Sequence, residues 1–190
     1  KPKFQISMTT MTIEPDFAKA NATIEIRYIR EPQPDGRVSR LYRETLVPLA
    51  APALLEEDTQ WWKLPRIAVS GPRPGWHMAL MSPMMMKAGS GPRPGWQEWA
   101  AQTGDSVTSV PNYRFDNYVS AHSAAKAGLG VVLGSLPLSA QDLASKDLVR
   151  LSDKSLRPDA GYWMTANEDM LSRKNWDQYV RILCDPDEKV

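Results

Sequence analysis

The 190-residue sequence is poor in the residue types that several classes of protein require. Its single cysteine, Cys184, excludes an internal disulfide and a cysteine metal cluster, and we expect it to be a small buried apolar residue. The two histidines, His77 and His122, stand outside any HExxH motif. Ser123 and Ser135 lack the GxSxG context of an activated nucleophile. We therefore expect no enzymatic activity and no bound cofactor.

A charge excess is also lacking, since 23 Lys and Arg residues balance 22 Asp and Glu residues to a formal net charge of +1. Domains that bind nucleic acid by themselves usually carry a clear basic excess, so this class is excluded. No apolar run approaches the ~20 residues of a membrane span, and the first residues, KPKFQISM, do not have the pattern of a signal peptide. With 42% hydrophobic and 24% charged residues, the chain is typical of a soluble globular protein, which we expect in the cytoplasm.

The first half of the chain alternates short strand patterns with proline-containing turns. ATIEIRYI (22–29) alternates apolar and polar residues, as a half-buried strand does. RLYRETLVPLAAPALL (40–55) begins as a strand, Pro48 favours an edge or crossing strand, and a short helix is expected to begin near Pro52. IAVSG (67–71) is typical of a buried strand that ends in a glycine turn.

The second half predicts strands that alternate with helices, which indicates an α/β fold. A strand over 112–115 is followed by Asp116 as the N-cap of a helix over 118–127, with Gly128 as its stop. Further elements are expected over 128–138, 139–152, 160–166 and 172–185. The last of these is an amphipathic helix with four apolar residues on one face: Trp176, Tyr179, Val180 and Leu183.

Two pairs of tryptophans give further expectations about burial. Trp96 and Trp99 are three residues apart and can share one helix face, so we expect both in the core. Trp61 and Trp62 are adjacent and cannot both face inward on a regular element, so one of them is expected to be exposed.

The run YRFDNYVSAHSAAKAGLGVVLGSLPLSAQDLASKDLVRLS (113–152) resembles the effector-binding domain of LysR-type transcriptional regulators. That family has a strand, a short polar link, an Ala-rich helix, a glycine turn and an apolar strand in this order. Four further segments are similar to pieces of the family in the same order: IEIRYI (24–29), RETLVPLAAPALL (43–55), GWQEWA (95–100) and GYWMTAN (161–167). The closest subgroup contains the glycine-cleavage activator and the β-lactamase regulators.

The resemblance implies two Rossmann-like α/β lobes joined by two crossing strands, as in type 2 periplasmic binding proteins. Lobe I would comprise 1–45 and 162–190, and lobe II would comprise 46–161. The family's first strand and first helix have no counterpart, and FQISM (4–8) would be the family's second strand. Lobe I is therefore expected to be incomplete at its N-terminus. The crossing strands would be 46–51 and 161–165.

The resemblance also implies that a small effector binds in the cleft between the lobes, and we expect an amino acid or another small carboxylate. Carried over by position, the candidate effector-binding residues are Arg27, Tyr28, Phe115, Asp116, Asn117 and Tyr162. Each of three has an alternative that is purely structural. Arg27 suits a bidentate carboxylate contact or a salt bridge, Asp116 suits a helix cap, and Tyr162 suits core packing.

The sequence SGPRPGW occurs at 70–76 and again at 90–96, and HMALMSPMMMKAG separates the two copies. Deleting 70–89 restores the spacing of the family, so we interpret these residues as a surface loop formed by local duplication. The alternative is a Cu(I) site, because this soft metal prefers sulfur ligands. Its thioether and imidazole ligands would be His77, Met78, Met81, Met84, Met85 and Met86.

As partners, the resemblance implies a homodimer or homotetramer, and DNA that is bound only through an N-terminal helix-turn-helix domain that these residues do not include. The alternative class is a type 2 solute-binding protein of a transport system, which has the same architecture. Such a protein requires an export signal, and none is visible in the sequence.

Overall fold

The computed structural model describes residues 23–29, 36–69, 95–105 and 110–184. The predicted strand at 4–8 and the predicted copper ligands, from His77 to Met86, lie outside these ranges. The described strands are β1 Ile24–Ile29, β2 Val38–Tyr42, β3 Leu46–Ala50, β4 Arg66–Val69, β5 Tyr113–Phe115, β6 Val131–Ser135, β7 Val149–Arg150 and β8 Gly161–Ala166. The described α-helices, numbered within these ranges, are α1 Trp96–Thr103, α2 Tyr118–Lys126, α3 Leu136–Ser145 and α4 Arg173–Leu183, and two 3-10 turns cover Pro52–Leu54 and Trp61–Lys63.

One sheet has five strands in the order β5-β4-β6-β3-β7. β4 runs parallel to β5 and β6, whereas β3 is antiparallel to β6 and β7. Side chains alternate between its faces, so that Val131 and Leu133 pack with Trp96 and Trp99 of α1, and Val132 packs on the opposite side. This opposite side is covered by α2 and α3 through a second apolar cluster. A sheet with helices on both faces is the layered α/β arrangement that the sequence predicted.

The other sheet has three antiparallel strands in the order β1-β8-β2. Helix α4 packs on one of its faces, where Met164 of β8 and Trp176 of α4 belong to one buried cluster. Cys184 lies in the same cluster, which confirms it as a buried apolar residue, with its Sγ 3.3 Å from the Oγ of Ser39. Leu183, which we expected on the buried face of the helix, is 45% exposed.

The chain passes between the two sheets twice, through residues 43–45 and 151–160. The prediction of 46–51 and 161–165 as crossing strands is wrong in this respect, because β3 and β8 each make all their ladder pairs within one sheet. The long strand pattern that begins at residue 40 is accordingly split between β2 and β3. Pro48 lies in β3, which is an interior strand of the five-stranded sheet. The ladder between β3 and β7 includes only Leu49 and Ala50, so Pro48 is not part of it.

The tryptophan predictions are confirmed. Trp99 is fully buried and Trp96 is 4% exposed, whereas Trp62 is 48% exposed and Trp61 packs against the α1 cluster. Within the described ranges, no helix combines the length and the apolarity that crossing a bilayer demands.

Candidate functional site

Strand direction brings several chain ends to one edge of the five-stranded sheet. β4, β5 and β6 are parallel, so their last residues, Val69, Phe115 and Ser135, lie at the same edge. Leu46, the first residue of the antiparallel β3, pairs with Ser135 and therefore lies there too. Open α/β sheets bind ligands outside the carboxyl ends of their strands. This edge, from which the chain connects to the other sheet, is the candidate site.

The turn between β5 and α2 presents the first candidate residues at this edge. The Oδ1 of Asn117 accepts a hydrogen bond from the N–H of Ser120 at 2.8 Å, so Asn117 is the N-cap of α2. The prediction that Asp116 caps the helix is wrong, because the helix begins at Tyr118 and the capping position is the residue before it. Asp116 instead accepts a hydrogen bond from the Nδ2 of Asn117 at 2.7 Å. The amide of Asn117 is thereby fixed next to the amino end of the helix, where the helix dipole favours an anionic group.

Phe115 lies between the hydrophobic core of the five-stranded sheet and the candidate site. It is the last residue of β5, and its partly buried side chain packs against the cluster of Val47, Ile67 and Ala121. Its ring therefore supports the turn that presents Asp116 and Asn117.

A network of polar side chains fixes α2 against the end of β6. The N–H of Ser135 donates to the hydroxyl oxygen of Tyr118 at 3.0 Å, and the Tyr118 hydroxyl lies 3.2 Å from the Oγ of Ser139. The Nε2 of His122 lies 3.1 Å from the same Oγ. Ser135 and Ser139 are fully buried. Sequence reasoning missed this network, although Tyr118 and His122 are four residues apart and therefore share a helix face.

The charged end of this network consists of His122, Lys126, Asp142 and Asp147. Burial lowers the pKa of His122, while the nearby Asp142 raises it and Lys126 lowers it further. The hydrogen bond to Asp142 is the main cause that raises the pKa of Lys126, against a smaller lowering by desolvation, and Lys126 also pairs with Asp147 at 3.4 Å. A neutral His122 can therefore accept the hydrogen bond of the Ser139 hydroxyl.

Ser139, His122 and Asp142 are residue types of a catalytic triad, but their geometry is different. Both the Oγ of Ser139 and the Oδ2 of Asp142, which lies at 3.6 Å, approach the same nitrogen, Nε2. A triad requires the serine and the carboxylate at opposite nitrogens of the imidazole and a serine that substrate can reach. Ser139 is fully buried. This group therefore fixes two helices to each other and is not arranged for nucleophilic attack.

Three tyrosines lie side by side at the end of the three-stranded sheet. Tyr28 of β1 and Tyr42 of β2 both pair with Tyr162 of β8. The ring centroid of Tyr162 lies 5.1 Å from that of Tyr28 and 5.2 Å from that of Tyr42. Tyr42 is the last residue before the first connection and Tyr162 is the second residue after the other one. The row therefore lies at the end of the sheet where both connections meet it. Sequence reasoning selected Tyr28 and Tyr162 and missed Tyr42.

Arg27 is separated from this row. Neighbouring residues of a strand point to opposite faces, so Arg27 lies on the face opposite to Tyr28. Its Nε pairs with the Oε1 of Glu25 at 2.5 Å, which is the structural alternative weighed for this residue. Across the sheet it is opposite Trp163, and the guanidinium of Arg40 lies 4.5 Å from the centroid of that ring.

The structure therefore unites Tyr28 with Tyr162 on one sheet, and Phe115, Asp116 and Asn117 on the other. The connections through 43–45 and 151–160 join the two groups. The described residues contain no group of three or more His, Cys, Asp or Glu side chains that could hold a metal ion.

Comparisons with known proteins agree with this architecture. A family model described as "LysR substrate binding domain" matches residues 2–180. The effector-binding domain of AmpR from Citrobacter freundii superimposes with a TM-score of 0.65 and 20% identity, covering 92% of this chain and 79% of that one. The effector domain of AmpR of Pseudomonas aeruginosa gives 0.59 and 19%, covering 88% and 76%. The bromide-bound regulatory domain of HypT from Salmonella typhimurium gives 0.56 and 13%, covering 88% and 73%. No curated protein sequence matches the chain. At such identities these structures show the fold, and they confirm the predicted two-lobed α/β class.

Proposed function

Because the chain belongs to the LysR substrate-binding domain family, we propose that it senses a small effector for a LysR-type transcriptional regulator, at the edge where its two sheets are connected. Two of the three structures above are AmpR domains, in agreement with the subgroup expected from the sequence. The proposed site comprises Tyr28 and Tyr162 on the three-stranded sheet, and Phe115, Asp116 and Asn117 on the five-stranded sheet. Arg27 is left out because it pairs with Glu25 on the opposite face.

One observation carries this proposal. The carboxyl ends of three parallel strands and both inter-sheet connections lie at one edge. A ligand held there touches elements of both sheets, so it can favour one relative position of the two bodies over another. A ligand shifts such an equilibrium only by its different affinity for the two positions. We divide the chain into lobes accordingly, with boundaries in 43–45 and 151–160.

We propose an amino acid or another small carboxylate as the effector. The amino end of α2 and the amide of Asn117 are the features that support an anionic group. The rings of the tyrosine row are only partly buried and are available for contact with the apolar part of the effector. The match to the regulator family favours this function over the solute-binding alternative.

The remaining expectations follow from the family and are part of the proposal. The domain would act without catalysis, in the cytoplasm, and would associate as a dimer or tetramer. DNA would be bound by a helix-turn-helix domain that is separate from these residues. That residues 70–89 form a surface loop stays a prediction.

Calorimetric titration of the chain with single amino acids and small carboxylates tests the proposed function. Binding is expected for at least one compound, and it should weaken in Asn117→Ala and Tyr162→Phe. Asn175→Ala and Tyr113→Phe are matched controls, because Asn175 is exposed on α4 and Tyr113 is an exposed side chain of β5. Failure of every carboxylate to bind would contradict the proposed effector class. Binding that is equally strong in all four variants would place the effector elsewhere.

A further inference from the structure

Strand β2 changes its register with β8 just before the chain leaves the sheet. Ser39 is paired with Met164 and Arg40 with Trp163, but the next pair joins Tyr162 to Tyr42 rather than to Leu41. The extra residue is a β-bulge. Bulges redirect side chains, and they are frequent next to functional sites.

The bulge decides which side chain of β2 faces Tyr162. Leu41 packs with the apolar cluster beneath α4, so it serves the core. The bulge places Tyr42 beside Tyr162 of β8, and the planes of the two rings are tilted by 37° relative to each other. On the opposite side, the ring of Tyr28 meets Tyr162 edge-on at 65°. The ring of Tyr162 is therefore held between two aromatic neighbours.

Gly161 permits this close approach. A Cβ added to Gly161 would lie 3.3 Å from the carbonyl oxygen of Tyr42, a distance at which the neighbouring backbone has to yield. The residue before Tyr162 therefore lets the ends of β2 and β8 approach where their rings meet.

We propose that Tyr42 is a positioning residue of the effector site, which fixes the ring of Tyr162 in the orientation that the effector meets. This inference rests on the proposed function, because it assigns Tyr162 to the site. Contacts between aromatic rings restrict the side-chain rotamers. If the ring of Tyr162 is already ordered before binding, its side chain loses less rotamer freedom when the effector binds, and the affinity is higher.

The test uses the whole chain labelled with 3-fluorotyrosine and observed by ¹⁹F NMR. The signal of Tyr162 is assigned by its absence in Tyr162→Phe, and Tyr113 on the other sheet is the internal reference for an intact fold. Tyr42→Leu removes the neighbouring ring, whereas Tyr42→Phe retains it. In the absence of any ligand, the Tyr162 signal should shift or broaden in Tyr42→Leu and return to its normal position in Tyr42→Phe.

Titration with benzoate, a carboxylate with a ring, then measures the consequence for binding. The Kd is expected to rise about threefold to tenfold in Tyr42→Leu and to be restored in Tyr42→Phe, the range that corresponds to one aromatic pair. An unchanged Tyr162 signal in Tyr42→Leu, with the Tyr113 signal intact, would overturn the proposal. A changed signal with an unchanged Kd would overturn it as well. If benzoate fails to bind the unaltered chain, only benzoate is excluded as an effector, and the Kd is measured with a carboxylate that binds in the calorimetric titration. The comparison of Tyr162 signals without ligand then decides whether Tyr42 orients that ring.

Discussion

Leu46, the first residue of β3, and Leu156 of the second connection exchange two backbone hydrogen bonds, each of 2.8 Å. Both leucines are buried. The N–H of Leu136 also donates to the carbonyl of Thr45 at 2.9 Å, which fixes the end of the first connection to the five-stranded sheet. These bonds fix the ends of both connections that lie next to the five-stranded sheet.

Lys154 attaches the second connection to α1, and its removal should loosen that attachment. Its Nζ donates to the carbonyl oxygen of Thr103 at 2.9 Å and pairs with Asp105 at 2.5 Å. Because Lys154 is half exposed, Lys154→Met is expected to lower the free energy of unfolding by only about 0.5–1 kcal/mol. Urea unfolding should show that this difference shrinks at high salt, since salt screens exposed pairs. Lys174→Met on the exposed side of α4 is the control, and an equal loss there would contradict the assignment.

Asn117→Ala should lower the free energy of unfolding by about 1 kcal/mol, the usual value of an N-cap. The side chain accepts the hydrogen bond of the Ser120 N–H, and alanine leaves this donor of α2 without a protein partner. Asn117→Ser retains an accepting oxygen and should regain most of the loss. Urea unfolding of both variants checks this value. If Asp116→Ala were the more harmful change, the cap would be Asp116 after all.

Local sequence patterns predicted the type and the bounds of an element correctly where the segment's own residues decide its structure. The helix predicted over 118–127 is observed over Tyr118–Lys126, and Gly128 ends it with a φ of 80°. The strand predicted over 160–166 is observed as Gly161–Ala166. Apolar periodicity carries the information in both cases, and a glycine with positive φ adds the stop signal of the helix.

The errors concern features that depend on partners distant in the sequence. Nothing in the pattern that begins at residue 40 shows that β2 and β3 belong to different sheets, because the sheet of a strand is decided by its pairing partners, which lie far away in the sequence. The position of Tyr42 depends on a bulge that only the pairing with β8 reveals. Ser139 looks like an ordinary polar residue of a helix, and its partners Tyr118 and His122 come from another helix.

Gly130→Ala should destabilise the five-stranded sheet by about 3 kcal/mol, near the upper end of the range for overpacking. An added Cβ would lie 2.4 Å from the carbonyl oxygen of Pro65, and this oxygen already accepts the N–H of Val131 at 2.8 Å. The clashing atom belongs to the backbone and cannot turn away. Gly104→Ala is the contrasting variant, since it meets no atom within 4 Å but has a φ of 70°. It should lose only about 1 kcal/mol through backbone strain, and thermal unfolding of the two variants distinguishes these effects.

The stability of the fold should fall on acidification because of His122. Burial is the main cause of its lowered pKa, against the opposing influence of Asp142 on α3, while the charge of Lys126 on its own helix lowers the pKa further. The unfolded chain, with a histidine pKa near 6.5, takes up this proton at a higher pH than the folded chain does. Stability from His122 is thus complete above pH ~6.5 and is lost as the pH falls from there towards the folded-state pKa.

The measurement is the free energy of unfolding in urea between pH 5 and pH 8, for the unaltered chain and for His122→Gln. The variant cannot be protonated at this position, so the loss on acidification should be smaller in it, and the difference between the two curves isolates His122 from His77. Asp142→Asn removes the charge that favours the protonated form of His122, and it should steepen the loss in the chain that retains His122. If the difference curve instead showed His122 stabilising the fold at low pH, its attraction to Asp142 would outweigh burial. The Ser139 hydroxyl would then face a protonated imidazole and could not donate to it.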